Sequence, residues 1–192
     1  RLDVGTSGLM LVCKSDLAYT EMRRQFAEHE VKKTYHALVQ GGLKENKATI
    51  EAPIGRAKVS DFRFCVTPAG KQAVTHWDVL ERFGHEATLV SVNLETGRTH
   101  QIRVHMKHIG HVLFNDERYG GHEILKGTHF SKYKQFVNNC FDTCPRQALH
   151  AMTLGFVHPV TGEEMYFTSE LPDDMTRLIE KWRGYISNRE IE

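Results

Sequence analysis

Arg1-Leu2-Asp3-Val4-Gly5-Thr6-Ser7-Gly8-Leu9-Met10-Leu11-Val12 is the stretch on which the reading of this chain turns. A carboxylate on a glycine-punctuated loop is followed at once by an apolar run, Leu9 to Cys13. That run predicts a buried strand, which would hold one acid at the edge of a sheet. Taken alone, Asp before Gly and Ser is ordinarily a turn former. The rest of the chain has to decide whether Asp3 does more.

Working outward, Ser15 or Asp16 can cap a helix to about Glu30, with Ala18, Met22, Gln25, Phe26 and His29 on its inner side. Thr34 to Gln40 alternates as a strand, placing Tyr35, Ala37 and Val39 on one face and Thr34, His36 and Leu38 on the other. Residues 43–71 carry Pro53, Gly55, Pro68 and Gly70 and read as short strands and loops. Ala73 to Glu81 and Glu86 to Glu95 alternate around Arg82-Phe83-Gly84-His85, the pattern of an antiparallel hairpin.

Thr99 is a cap for a helix through Ile109, ended by Gly110. Residues 111–147 read as a surface excursion with a helical piece near Phe130 to Asn139. Leu149 to Val157 and Met165 to Thr168 form a second hairpin, and Pro172 opens a final helix with Met175, Leu178, Ile179 and Trp182 along one stripe. Strand pairs with helices interspersed irregularly favour an α+β fold on a mostly antiparallel sheet.

The 192 residues, 40% hydrophobic, fit one domain with a substantial core. No apolar run reaches about 18 residues and Arg1 begins no signal peptide, so we expect a cytoplasmic chain with no membrane span. Cys13, Cys65, Cys140 and Cys144 lack paired metal-ligand spacing, and reduced thiols are expected. Net charge is +1, too little for indiscriminate coating of nucleic acid. The sum hides an asymmetry. Residues 1–134 hold 20 Lys and Arg against 15 Asp and Glu, whereas 135–192 hold 5 against 9. A basic first part suits a phosphate-bearing partner, although such unevenness is commonly a solvated surface.

The opening stretch resembles the Arg-Leu-Asp-x-x-Thr-Ser-Gly-Leu signature of the RluA-type pseudouridine synthases, which isomerise uridine in RNA. Lys33-Thr34-Tyr35-His36-Ala37-Leu38 is similar to that family's Lys-x-Tyr-x-Ala-Leu strand. Thr96-Gly97-Arg98-Thr99-His100-Gln101-Ile102-Arg103-Val104-His105 is the most specific match. Gly110 to Gly120 follows the family pattern but has Val112 for a proline and Asn115 for a glycine. Arg146-Gln147-Ala148-Leu149-His150-Ala151 completes the order.

The resemblance implies a single catalytic domain over residues 1–192, lacking the family's strands before Arg1. Asp3 would be the catalytic acid, Arg103 its ionic partner and Tyr35 the residue stacked on the uracil and the base for the C5 proton. Arg1 would fill the space left by a flipped base, with His100 and Leu149 also in substrate binding, Leu149 on the uracil face opposite Tyr35. An arginine near Asp3 keeps the acid ionised in a closed pocket, and its planar fork can hold both carboxylate oxygens.

No cofactor and no metal are implied, because the reaction involves neither redox change nor hydrolysis. The partner would be RNA, ribosomal by default and transfer RNA otherwise, gripped by Arg23, Arg24, Arg98, Lys107 and the lysines of residues 126–134. Three rival readings stand beside this one. His105, His108 and His111 at helical spacing could bind zinc. Gly5-Thr6-Ser7-Gly8-Leu9 is a weak echo of a hydrolase nucleophile turn. The third is a catalytically inactive RNA-binding module of the same fold.

Overall fold

The structure, a computed structural model, describes residues 1–58, 62–125 and 130–189. Nine strands and four α-helices follow in the order β1 (Ser7–Gly8), α1 (Asp16–Ala27), β2 (Lys32–Gln40), β3 (Lys47–Glu51), β4 (Ile54–Arg56), β5 (Phe64–Val66), β6 (Val74–Phe83), β7 (Ala87–Leu94), α2 (Gln101–His108), α3 (Ser131–Thr143), β8 (Leu149–Val157), β9 (Glu164–Thr168) and α4 (Asp173–Arg189). Seven strands form one sheet in the order β1-β8-β2-β7-β6-β3, with β9 also on β8, while β4 and β5 pair separately. Only β1 on β8 is parallel among these pairs. The α+β class with a mostly antiparallel sheet is the one the patterning predicts.

The sheet is covered on both faces, and strand alternation shows how. On β2 and β7, Leu38, Ala87 and Leu89 join a cluster built with Phe114 and with Tyr133, Val137, Met175, Leu178 and Trp182 on the inner faces of α3 and α4. Ala37, Val39, Val90 and Val92 point the other way, onto Ile102 and Met106 of α2. Because β2 is central and covered twice, its last four residues are all buried.

Several expectations need correction. Leu9 to Cys13 is no strand, since β1 stops at Gly8. The free edge of β8 is taken by β1 at His150 and Ala151 and by β9 from Thr153 onward, so no edge remains for the apolar run to pair with. Leu9, Leu11 and Cys13 instead pack on Met22, Val31 and Leu154, while Met10 and Val12 are 58% and 71% exposed.

The reading of 111–147 as a surface excursion also fails. Val112, Leu113 and Phe114 are buried. The Phe114 amide donates to the Leu38 carbonyl, and the Ala148 amide to the Phe114 carbonyl. Residues 112–114 are core because they seal the end of β2. Finally, α2 is preceded not by a capping Thr99 but by His100 in the left-handed region (φ +56), which makes no side-chain cap bond.

Helix α1 is capped by Ser15, which accepts from the Ala18 amide, and ends at Ala27, short of Glu30. Gln25 explains its seat on the sheet. Its amide donates to the Val157 carbonyl at 2.8 Å and accepts from the Val157 amide at 3.0 Å, satisfying the end of β8 as another strand would. Phe26 and His29, expected on the inner side, are left exposed beside the cavity described next.

Candidate active site

Asp3 sits on a loop closed by the Thr6 amide donating to the Asp3 carbonyl. The loop is fastened from the far end of the chain. Gln147 donates to the Val4 carbonyl at 2.7 Å, and Arg146 to the Gly5 carbonyl at 3.0 Å and the Ser7 hydroxyl at 2.9 Å. Arg146 is itself oriented by a two-pronged pair with Asp174, at 2.8 and 3.1 Å, at the head of α4. Gly5 (φ +84) and Gly8 (φ +116) take left-handed conformations, and a Cβ on Gly8 would run into the Ala151 backbone.

Beneath Asp3 lies Arg103, buried on α2. One terminal nitrogen donates to Asp3 Oδ2 at 3.4 Å, while Nε and the other terminal nitrogen donate to the two oxygens of Asp116 at 2.7 and 2.9 Å. Asp116 is fully buried. Burial works against the Arg103 charge, but the Asp116 hydrogen bonds and charge outweigh it and hold its pKa above the ordinary value. The Tyr119 ring stacks 5.0 Å from the guanidinium, and its hydroxyl accepts from the Phe64 amide and meets His100 Nδ1 at 2.7 Å. Burial, then the nearby Arg103 charge, pushes the His100 pKa down, so its ring is neutral.

The entry to α2 is stapled by Gln101, which accepts from the Thr96 hydroxyl and the Arg98 amide and donates to the Val74 carbonyl and the Thr75 hydroxyl. That network sets where Arg103 emerges two residues later. Asn115, where the family pattern has glycine, takes φ +58 and donates to the Phe141 and Cys144 carbonyls. Asparagine tolerates this conformation, so the turn that delivers Asp116 is kept.

A cavity of about 640 Å³ opens over Asp3 and is lined by five of the six expected residues: Arg1, Asp3, Tyr35, His100 and Leu149. Arg103, the sixth, reaches the cavity only through Asp3. Arg1 donates to the Thr99 hydroxyl at 2.8 Å, at the rim. Burial, with the Asp3 charge second, pushes the Tyr35 phenol up to about 12. Tyr35 is therefore a neutral O–H at physiological pH.

The sequence reading missed Asp116, Tyr119 and Gln101. Asp116 and Tyr119 fell within a quoted motif, but nothing local signals that an acid 13 residues past an arginine will return to grip it. Of the expected phosphate contacts, Arg24 is removed by its ion pairs with Glu21, Glu28 and Glu30. Lys132 and Lys134 are exposed on α3, and Lys126 lies outside the described residues.

The zinc reading loses its ligands. His105 bonds Thr75 and the Ala52 carbonyl, and His111 bonds the Gln40 carbonyl. Among the described residues no group of three or more His, Cys, Asp or Glu could hold a metal ion. Ser7, in the hydrolase reading, does meet His150 at 2.7 Å, but Arg146 donates to the same hydroxyl and β1 holds it in the sheet, away from the cavity lining. No described helix is long and apolar enough to cross a membrane.

The mixed sheet thus presents one arginine-backed carboxylate, Asp3, at the floor of an open cavity that Phe26, Tyr35 and His100 also line. Residues 1–108 match the family described as RNA pseudouridylate synthase, and the chain belongs to that family. The RluA-type resemblance is thereby borne out. Among its relatives, "Uncharacterized RNA pseudouridine synthase YlyB" of Bacillus subtilis is 45% identical over 95% of this chain and 54% of its own length. "Ribosomal large subunit pseudouridine synthase D" of Pseudomonas aeruginosa is 44% identical, covering 93% and 54%.

The same-named protein of Vibrio vulnificus is 42% identical, covering 95% and 54%. The chain thus spans about half the length of the curated relatives it matches. Of solved structures, "Human RNA Pseudouridylate Synthase Domain Containing 1" superimposes with a TM-score of 0.69 at 26% identity, over 95% of this chain and 78% of that one.

Proposed function

We propose that residues 1–192 form one catalytic domain of a cytoplasmic RNA pseudouridine synthase acting on uridines of large-subunit ribosomal RNA, with transfer RNA as the second candidate substrate. The observation that carries this reading is the Asp3 carboxylate held 3.4 Å from Arg103 at the floor of a cavity that Tyr35 also lines. The reaction breaks the bond from N1 to C1′, turns the uracil and joins C5 to C1′. The C5 proton leaves and N1 gains one, so atoms balance with no oxidant, reductant or water consumed.

Asp3 acts on the sugar, as nucleophile at C1′ or as base at C2′. Arg103 donates to it from below and holds its orientation. The target base is turned out of its stack at a cost of roughly a few kcal/mol, and Arg1 at the rim is placed to fill the gap. Tyr35 and Leu149 receive the uracil between them. With its pKa at about 12, Tyr35 meets the base as a neutral phenol, and taking the C5 proton requires that it first surrender its own. Arg98, Lys107, Arg23, Lys132 and Lys134 are what remains of the basic residues expected to hold the strand.

Tritium release from ribosomal RNA labelled at uridine C5 tests the reading. Wild type releases tritium, and Asp3→Asn lowers the rate at least about 100-fold while still binding RNA. Release from neither protein, with RNA binding kept, supports the inactive RNA-binding module instead.

A further inference from the structure

Lys33 lies two residues before Tyr35 on β2, so both side chains leave the same face of the strand, about 6.7 Å apart along it. Both line the cavity. The Lys33 ammonium makes no hydrogen bond and no ion pair among the described residues, although Asp3 and Glu95 line the same cavity. Its recorded interaction is with the Phe26 ring, 5.2 Å away, at the end of α1.

Gly97 completes the setting from the other side, since a Cβ there would come within 3.2 Å of the ammonium. Burial lowers the Lys33 pKa, the mark of a cation partly stripped of water and given no counter-charge in return. A desolvated charge left unpaired is unfavourable unless an anion completes it.

Resting on the reading above, we propose that Lys33 binds a backbone phosphate of the RNA strand next to the flipped uridine, with the Phe26 ring holding the ammonium in place between turnovers. The geometry orders the substrate along β2. The uracil lies at Tyr35, and the strand leaves over Lys33 toward the end of α1. Such a contact positions the strand and carries no sequence information.

The test compares wild type, Lys33→Met and Lys33→Arg on a large-subunit ribosomal RNA transcript labelled with tritium at uridine C5. Lys33→Met is expected to raise KM about tenfold with kcat within about twofold. The slope of log affinity against log salt should become shallower by about 0.7, the loss of one single-strand phosphate contact. Lys33→Arg restores both. An unchanged KM and slope in Lys33→Met, or a fall in kcat alone, overturns the proposal while wild-type turnover leaves the synthase reading standing.

A second measurement needs no variant. Acylation of wild-type lysines, read by mass spectrometry, should show Lys33 protected by a uridine decamer, and equal labelling with and without it overturns the proposal. Wild type that neither turns over nor binds RNA sinks both readings.

Discussion

Arg103 divides its guanidinium between two acids, and the division is unequal. Asp116 takes the two-pronged contact and Asp3 a single longer one. Asp116 therefore fixes the plane of the guanidinium, leaving one N–H directed at the Asp3 carboxylate. Breaking a buried pair by removing one partner costs about 3–5 kcal/mol. Asp116→Ala should lose stability of that order in urea denaturation, and Asp116→Asn should lower kcat for tritium release more than it raises KM. At this scale motifs singled out Asp3, Tyr35 and Arg103, and the structure brings them together, Asp3 against Arg103 and Tyr35 in the same cavity. The sequence was silent where a pairing depends on a turn, because the path from Arg103 to Asp116 runs through Gly110 and the left-handed Asn115.

Helix α2 is tied to the sheet by a histidine. His105 is fully buried, meets the Thr75 hydroxyl through Nδ1 and the Ala52 carbonyl through Nε2, and so is held as the neutral ring. Burial, above all, lowers its pKa, and burial also lowers those of His36 and His150. In the unfolded chain each would titrate near 6.5. Below that value the unfolded state takes up protons that the folded state resists, so stability present above pH 6.5 is lost as pH falls. Thermal melting should show Tm dropping between about pH 7 and 5, with a flatter dependence in His105→Gln.

Patterning read these elements well wherever one face is dry and the other wet, as in α4 and the second half of β6. It failed for Leu9 to Cys13 because hydrophobicity says nothing about competition for a strand edge, which β9 wins. It failed again for Val112 to Phe114, whose burial comes from capping the end of β2 rather than from any period of their own.

The molecule as a whole is a sheet between two unlike layers. One is the aromatic layer of α3 and α4, where Trp182 packs edge-on to Phe114 and Phe136. The other is the α2 layer, which carries Arg103. Trp182→Ala should cost about 3–5 kcal/mol in denaturant unfolding. Under conditions where the variant remains folded, kcat should fall less than in Asp116→Asn, since α4 reaches the Asp3 loop through Asp174 and Arg146 rather than through Trp182.

The fastening of Asp3 has a further consequence in time. Val4 and Gln147, joined by a hydrogen bond, stand 143 positions apart. During synthesis the acid emerges from the ribosome well ahead of the residues that seat it, and contacts of such separation close late. The loop that carries Asp3 therefore takes its final seat only once Arg146 and Gln147 have been released to fasten it.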